Sequence, residues 1–207
     1  MDTYRTVMRR GESLHVVRKS RFLGVCVPVA DEAAAVAAIG AQRKKYHDAR
    51  HHCYAFIAGN CRRSADDGEP PGTAGMPILD VLLKNGVRDA LIVVTRYFGG
   101  VLLGTGGLVR AYSAAAAEAL DNARITAMYA AVYYRIELDY ARYSRLPAVM
   151  KKVRAKVLNE DFGAAVSIDL AVRAAEPDVF HKLYEELTEG KGIVYETGRG
   201  HLAWEEE

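Results

Sequence analysis

Residues 66–110 place the strongest limits on how this chain of 207 residues folds. At their centre lies Ala90–Thr95, an almost continuously apolar run that is typical of a strand covered on both faces. Nine of these 45 residues are glycine, far above ordinary usage, and they fall in the segments before and after the strand. Glycine is needed where φ is positive or where another group approaches the backbone closely. The stretch therefore predicts a central strand between two glycine-rich loops that each open a helix and shape a binding surface.

The remainder of the first 130 residues alternates strands and helices. Asp31 precedes an alanine-rich segment with acids in its first turn, which predicts a helix capped by Asp31. Pro77 suits the first turn of a short helix, and residues 59–75 are predicted as loop. The predicted elements are strands Glu12–Lys19 and Phe22–Val29, a helix from Asp31 to about Tyr46, strand His52–Ala58, helix Ile78–Lys84, strand Asp89–Thr95 and helix Gly107–Ala123. This order predicts an α/β sandwich with its helices on one side.

A second pattern begins near Val132 and suggests another domain. Its alternating segments predict strands, and an apolar stripe predicts a helix between them. The predicted elements are strand Val132–Asp139, helix Tyr143–Arg154, strand Ala155–Asn159, a turn at 161–163, strand Ala165–Val172, helix Pro177–Thr188 and strand Ile193–Ala203. The order β-α-β-β-α-β is that of a ferredoxin-like domain. We therefore predict an α+β protein with domains at residues 1–130 and 131–207.

Composition and charge exclude several classes of protein. Half of the residues are hydrophobic, enough for a packed core, but no apolar run approaches the ~20 residues of a membrane helix. The amino terminus lacks the apolar core of a signal peptide, and the three cysteines form no CxxC pair, so we expect a cytoplasmic protein with reduced thiols. Residues 1–130 carry 17 Lys and Arg against 12 Asp and Glu, whereas residues 131–207 carry 11 against 14. The basic clusters of the first half are either ordinary solvated surface or a surface for an anionic partner.

The loop Gly99–Gly107 follows a strand and precedes a helix, so its N–H groups favour an anion such as phosphate. It lacks the Gly-Lys-Ser/Thr ending of a Walker A loop, and it does not fit the dinucleotide fingerprint. Arg96 and Arg110 flank the loop and support an anion site, although both are equally able to pair with nearby acids. The competing interpretation is a tight connection whose glycines allow close packing.

The acidic turn Asp66, Asp67 and Glu69 offers oxygen ligands for a divalent cation, with Thr73 and Asp80 as further donors. Its spacing is not that of an EF-hand, and one loop supplies too few ligands. A solvent-facing acidic turn is the favoured interpretation. We assign no metal site.

In His51-His52-Cys53 a nucleophile stands beside a base. On a strand, His51 and Cys53 share one face and His52 takes the other. A Cys–His dyad needs a third group to orient the imidazole, and the sequence identifies none. A buried structural cysteine is favoured, and zinc at His47, His51 and Cys53 lacks a recognised spacing. We assign no catalytic residue and no cofactor.

Four tyrosines cluster at the start of the second half, at positions Tyr133, Tyr134, Tyr140 and Tyr143. They are predicted to pack in the core and between domains. Stacking on unpaired bases is the alternative.

Four segments of the chain resemble the motifs of one family. They are Lys19-Ser20-Arg21-Phe22, His52-Cys53-Tyr54-Ala55, Asp67-Gly68-Glu69-Pro70 with Gly72-Thr73-Ala74-Gly75, and Arg96-Tyr97-Phe98-Gly99-Gly100 through Leu103-Gly104 to Gly106-Gly107-Leu108. On these residues the chain resembles the IMPACT/YigZ family of cytosolic proteins over nearly its whole length. The resemblance implies a ribosomal-protein-like α/β domain similar to domain IV of elongation factor G, followed by a ferredoxin-like domain similar to its domain V. Eukaryotic relatives bind the activator of the amino-acid-starvation kinase, but they join this domain to a different partner domain, so that role is not carried over.

Three functions are compatible with these features. The favoured hypothesis is a non-catalytic protein of the translation system that contacts RNA or the ribosome through its basic first half. The first alternative is an enzyme that acts on a phosphorylated small molecule or nucleotide through Gly104–Gly107, with Asp67 or Glu69 as metal ligands. The second is an adaptor whose loops form a groove for a regulatory protein beside Tyr97 and Phe98. The candidate binding residues are Lys19, Arg21, Asp67, Glu69, Thr73, Arg96, Tyr97, Gly99, Gly100, Gly104, Gly106, Gly107 and Arg110.

Overall fold

The computed structural model describes residues 3–204, which form an α+β fold with two five-stranded sheets. The α+β class predicted from the sequence is confirmed. Two compact units are present, the first formed by residues 4–127 and the second by residue 3 with residues 128–204. In chain order the elements are β1 (Thr3–Val7), β2 (Gly11–Val17), β3 (Ser20–Pro28), α1 (Glu32–Lys45), β4 (His51–Ala58), β5 (Cys61–Ala65), α2 (Gly75–Lys84), β6 (Ala90–Tyr97), α3 (Gly104–Asn122), β7 (Ile125–Leu138), α4 (Tyr140–Tyr143), α5 (Leu146–Lys152), β8 (Lys156–Phe162), β9 (Val166–Arg173), α6 (Pro177–Thr188) and β10 (Ile193–Ala203).

The sheet of the first unit has the order β2-β3-β6-β4-β5, and its neighbouring strands are antiparallel. β6 lies in the middle, as its apolar sequence predicts. Ile92 and Val94 belong to the core that contains residues of α2 and α3, whereas Leu91 and Val93 belong to the core that contains Ile39 of α1. Successive strand residues point to opposite faces, so an apolar strand of this kind needs cover on both sides.

The prediction that the helices lie on one side of the sheet is wrong. α2 and α3 cover one face and α1 covers the other. A single helical layer would have left half of the apolar side chains of β6 in water, at a cost of roughly 25 cal/mol for each Å² of apolar surface.

The prediction of an unbroken loop over residues 59–75 is also wrong. Cys61–Ala65 forms β5 and pairs with β4 at the edge of the sheet. Its Arg62 and Arg63 are exposed, so this edge strand has no apolar alternation to reveal it.

In the second unit, β10, β7, β9 and β8 lie side by side in that order and are antiparallel. β7 begins at Ile125, earlier than predicted, and β1 is a strand that is absent from the prediction. The predicted helix Tyr143–Arg154 is two short helices, because Pro147 stands in the first turn of α5 and starts a new helix there. β8 continues to Phe162 through part of the predicted turn.

The tyrosines at the start of the second half have different environments. Tyr134 is buried in the core of this unit and packs on Phe180. Tyr143 lies edge-on to Phe162, and the Tyr140 hydroxyl donates to a backbone carbonyl. Among residues 3–204, no helix is both long and apolar enough to cross a bilayer.

Candidate functional site

Asp66 fixes the glycine-rich turn that leads into α2. Its carboxylate accepts hydrogen bonds from the backbone N–H groups of Gly72 at 2.8 Å, Ala74 at 3.0 Å and Gly75 at 2.8 Å. Partial burial favours the protonated acid, but these three bonds outweigh it and lower the pKa of Asp66. Gly75 is required here because a Cβ would lie 2.7 Å from the backbone of Ala65. Asp66 thus does for α2 what an N-cap side chain does, since Ala74 at the cap position has no such group.

Asp67 ties the same turn to α1 and β4. One carboxylate oxygen accepts from Arg43 Nη2 at 2.6 Å, and the other accepts from the backbone N–H of His52 at 2.7 Å. Its carbonyl lies 2.9 Å from Nδ1 of His51. A carbonyl only accepts, so this contact places a proton on Nδ1 and leaves Nε2 as the free ring nitrogen.

Glu69 forms a buried ion pair with Arg96. Its Oε1 accepts from Arg96 Nη1 and from the Tyr112 hydroxyl, each at 2.7 Å. The two charged side chains are only 4% and 7% exposed. The Arg96 guanidinium lies 5.4 Å from the ring centre of Phe22 and 5.6 Å from that of Phe98. Burial, with the neighbouring Cys53 and Glu69, raises the pKa of Tyr112, so its hydroxyl remains a donor.

The carboxylates that were considered above as ligands for a cation bond to protein groups in the structure. Asp67 and Glu69 both bond to protein groups, and the Thr73 hydroxyl donates to the carbonyl of Pro70 at 2.7 Å. Asp80 lies exposed on α2. Within residues 3–204, no group of three or more His, Cys, Asp or Glu side chains is arranged to hold a metal ion.

Cys53 is buried beside this pair. Its Sγ donates to the carbonyl of Asp66 at 2.9 Å and to the Tyr112 hydroxyl at 3.3 Å, and burial raises the pKa of the thiol to about 12. His52 Nδ1 lies instead 3.1 Å from Thr95 Oγ1, and burial lowers the pKa of His52. Among the described residues, no hydrogen bond joins Cys53 to either neighbouring histidine. The thiol is therefore protonated at neutral pH, and a Cys–His dyad is not formed.

A basic hairpin tip lies next to the second glycine loop. Arg18 and Lys19 are the two residues between β2 and β3, and both have positive φ, at 45° and 69°. Gly99 passes so close that a Cβ would lie 2.1 Å from the carbonyl carbon of Lys19, and its N–H donates to Ser20 Oγ at 3.0 Å. Gly99 is therefore a packing glycine.

Arg21 and Tyr97 lie opposite one another on β3 and β6. The Arg21 guanidinium is 4.7 Å from the ring centre of Tyr97, and the Tyr97 hydroxyl donates to Asp48 at 2.6 Å. The predicted residues Lys19, Arg21, Tyr97 and Gly99 are thus brought together by strand register, while Arg96 lies buried behind them.

The amino end of α3 is open. Gly104 is its first residue with φ of 69°, and Leu103 at the cap position provides no side-chain hydrogen bond. A Cβ on Gly100 or Gly104 would meet nothing within 4 Å, so positive φ, and not close packing, accounts for these two glycines. Gly106 and Arg110 are exposed, and Gly107 is partly exposed. Among the described residues, Arg110 has no hydrogen-bond or ion-pair partner.

The hairpin tip and the amino end of α3 lie at the same end of the first unit. A Cβ on Gly11 would meet the backbone of Ala119 to Ala123, near the carboxyl end of α3, and Ser13 Oγ donates to the Ala115 carbonyl at 2.7 Å. β2 therefore runs toward the amino end of the helix. From Ser13 to Arg18 the strand advances ~16 Å, and from Ala115 back to Gly104 the helix spans ~16 Å.

A cleft of about 250 Å³ adjoins Arg96, and it is lined by Asp48, Ala49, Arg50, His51, Arg96, Tyr97 and Phe98.

The sequence analysis did not identify Arg18, Arg50 and Tyr112 as parts of the candidate site. The basic pair Arg18-Lys19 at the end of the predicted strand Glu12–Lys19 was a signal for Arg18. Nothing local marks Tyr112, which contacts Glu69 across 43 residues of chain.

Known proteins share both the sequence and the fold of this chain. Residues 18–120 match the Impact N-terminal domain. The chain is 33% identical over 199 residues to the IMPACT family member YvyE of Bacillus subtilis, covering 95% of this chain and 92% of YvyE. It is 35% identical over 179 residues to the IMPACT family member YigZ of Escherichia coli, covering 84% of this chain and 88% of YigZ. A crystal structure described as that of a hypothetical protein has a TM-score of 0.63 and 31% identity, covering 96% of this chain and 98% of its own. The chain belongs to the IMPACT family, among members of the YigZ and YvyE type.

Proposed function

We propose that this protein is a non-catalytic, cytoplasmic binding protein of the translation system that contacts RNA, free or in the ribosome. The surface that carries the binding is the basic end of the first unit, which comprises Arg18, Lys19, Arg21, Arg110 and the amino end of α3. One observation carries the proposal: Arg18 and Lys19, which have no ion-pair partner among residues 3–204, lie at the same end of the unit as a helix amino terminus without a side-chain cap. Backbone N–H groups and the helix dipole favour phosphate there, and the cations add salt-dependent affinity.

The strained turn supports the same proposal. A two-residue hairpin with two positive φ angles normally carries Asn-Gly or a similar pair. Arg18 and Lys19 occupy these positions instead, at a cost of roughly 1–2 kcal/mol for each residue in the left-handed conformation. Backbone strain of this size is typical of functional positions, where a side chain is kept for its role in binding although it lowers the stability of the fold.

The finer architecture forms part of the proposal. The order β10-β7-β9-β8 and the succession β-α-β-β-α-β support a ferredoxin-like second domain, similar to domain V of elongation factor G. The first domain would then correspond to domain IV of that factor. Fold similarity supports a ribosomal partner by analogy alone.

Co-sedimentation with ribosomes and with total RNA across a salt series tests the function. We expect binding that weakens steeply with salt, and we expect Lys19→Gln with Arg110→Gln to lower the salt slope by about 2, one unit for each lost phosphate contact. The control is Arg62→Gln with Lys84→Gln, which removes two exposed cations from β5 and α2. Absent binding at low salt, or an equal loss in the control, rejects the proposal.

A further inference from the structure

The cleft beside Arg96 has the composition of a ligand site, and its lining residues do not include those of the hairpin tip. Arg96 lines it with a side chain that is 7% exposed. One terminal nitrogen of Arg96 bonds to Glu69, whereas its buried Nε has no hydrogen-bond partner within residues 3–204. Nε is itself closed off from the cleft, so a ligand there would bond to Nη2, the terminal nitrogen that Glu69 does not engage.

Two more nitrogen groups line the same space. Arg50 is exposed, and no acid or hydrogen-bond acceptor contacts its side chain within residues 3–204. His51 donates its Nδ1–H to the Asp67 carbonyl, so Nε2 of the neutral ring is an acceptor and does not bond to a phosphate oxygen. Asp48 also lines the cleft and accepts from the Tyr97 hydroxyl; this bond lowers the pKa of Asp48, so its negative charge stays in the cleft and offsets one of the two arginines.

The cleft also presents an aromatic surface. Phe98 is 54% exposed although its ring contacts the Arg96 guanidinium, so ring area remains open to a planar group. The cleft volume, about 250 Å³, is below the 300–1,000 Å³ of pockets that enclose a whole drug-sized ligand. It therefore suits a ligand whose charged part is enclosed and whose planar part lies on an aromatic side chain at the opening.

We propose that this cleft binds the phosphomonoester of a nucleotide, with Arg50 and Arg96 around the phosphate and the base on Phe98. The same chemistry is found in a free nucleoside monophosphate and at the 5′-phosphorylated end of an RNA. In the second case the cleft deepens the proposed function and rests on it, because it would recognise an RNA end while the basic end of the unit contacts the backbone. Base stacking on an aromatic ring and charge-assisted bonds to phosphate are the expected sources of affinity.

Calorimetric titration with AMP and with adenosine tests the cleft directly. We expect AMP to bind at least about tenfold more tightly than adenosine, because the charge-assisted bonds go to the phosphate. Arg50→Gln is expected to weaken AMP binding about tenfold. Ala49→Leu, which fills the cleft without changing its charge, is expected to abolish it. Arg62→Gln, an exposed arginine outside the cleft, is the matched control, and circular dichroism verifies that each variant is folded.

Two short RNAs of one sequence, with and without a 5′-phosphate, identify the source of the phosphate. Tighter binding of the phosphorylated RNA, with AMP as a competitor, supports an RNA end. If AMP binds and the two RNAs bind with equal affinity, the result supports a free nucleotide as the ligand. Absence of AMP binding and of any 5′-phosphate effect overturns the cleft proposal, as does AMP binding that survives both Arg50→Gln and Ala49→Leu. If the cleft proposal fails but RNA binding still weakens with salt, the proposed RNA-binding function stands. If AMP binds to the cleft but RNA does not bind to the protein, the RNA-binding function is rejected and the cleft proposal stands.

Discussion

At the scale of single residues, the Glu69–Arg96 ion pair joins the turn before α2 to strand β6. Both side chains are almost fully buried, and the pair is completed by the Tyr112 hydroxyl, which in turn accepts from Cys53. A buried ion pair adds little stability relative to an apolar pair of the same shape, but the loss of one partner leaves an uncompensated charge. The pair thus fixes where Arg96 lies, and with it one wall of the cleft.

Glu69→Ala is expected to destabilise the protein by about 3–5 kcal/mol, because it leaves the Arg96 guanidinium buried without its carboxylate. Urea unfolding followed by far-ultraviolet circular dichroism measures the loss. Glu12→Ala is the matched control, since it removes an exposed pair with Arg10. Its expected effect is below about 1 kcal/mol. Equal effects in the two variants would contradict the assignment of Glu69 and Arg96 as a buried pair.

Asp66 predicts a dependence of stability on pH. Its pKa lies below the ordinary value of 3.8 in the folded protein, so its carboxylate stabilises the fold fully above that value. This contribution is lost as pH falls below 3.8 and through the lower folded pKa. We expect Asp66→Asn to destabilise the protein at pH 7 and to differ progressively less from wild type in acid.

Urea midpoints at pH 7, 4 and 3 measure this change. Asp80→Asn removes an exposed carboxylate of α2 and serves as the control. A penalty for Asp66→Asn that is as large at pH 3 as at pH 7 would show that the charge of Asp66 does not support the turn.

At the scale of elements, local signals located most helices and strands, whereas long-range pairing decided the rest. Pro177 and Gly190 frame α6, and the predicted bounds Pro177–Thr188 match the structure. β5 and the placement of α1 on the opposite face depend on contacts between distant segments, which no local pattern contains. The same holds for the site. Lys19 and Gly99 meet across a gap of 80 residues, and Arg21 meets Tyr97 only through strand register.

The hairpin tip allows stability and binding to be separated. Replacement of Arg18-Lys19 by Asn-Gly is expected to raise the free energy of unfolding by about 1–2 kcal/mol, because these residues accept positive φ at lower cost. The same variant should bind RNA more weakly, since it removes two cations from the basic end. Thermal unfolding and the ribosome co-sedimentation assay measure the two effects.

The variant Arg62→Gln with Lys84→Gln controls for the loss of two positive charges. A more stable Asn-Gly variant with unchanged RNA affinity would remove the hairpin tip from the proposed surface. Unchanged stability would show that the Arg18-Lys19 turn is not strained.

At the scale of the whole molecule, each unit has hydrophobic clusters of its own. Phe22, Ile78 and Tyr112 belong to the largest cluster of the first unit, and Ile136 and Phe180 belong to the largest of the second. The charge follows the same division, with a basic excess in residues 1–130 and an acidic excess in residues 131–207. An anionic partner is therefore attracted mainly by the first unit.

Because each unit has its own core, we expect a destabilising substitution in one unit to lower the unfolding midpoint of that unit alone. The chain has one tryptophan, Trp204, which is 4% exposed and whose Nε1 donates to the Arg154 carbonyl at 2.7 Å within the second unit. Its fluorescence follows the unfolding of the second unit, whereas circular dichroism follows the unfolding of both.

Glu69→Ala should therefore shift part of the dichroism transition to lower urea concentration and leave the fluorescence transition in place. Ile168→Ala, in the second core, should lower the fluorescence midpoint, since a buried isoleucine truncated to alanine costs about 2–5 kcal/mol. If Glu69→Ala moves the Trp204 transition as far as Ile168→Ala does, the two cores unfold as one cooperative structure.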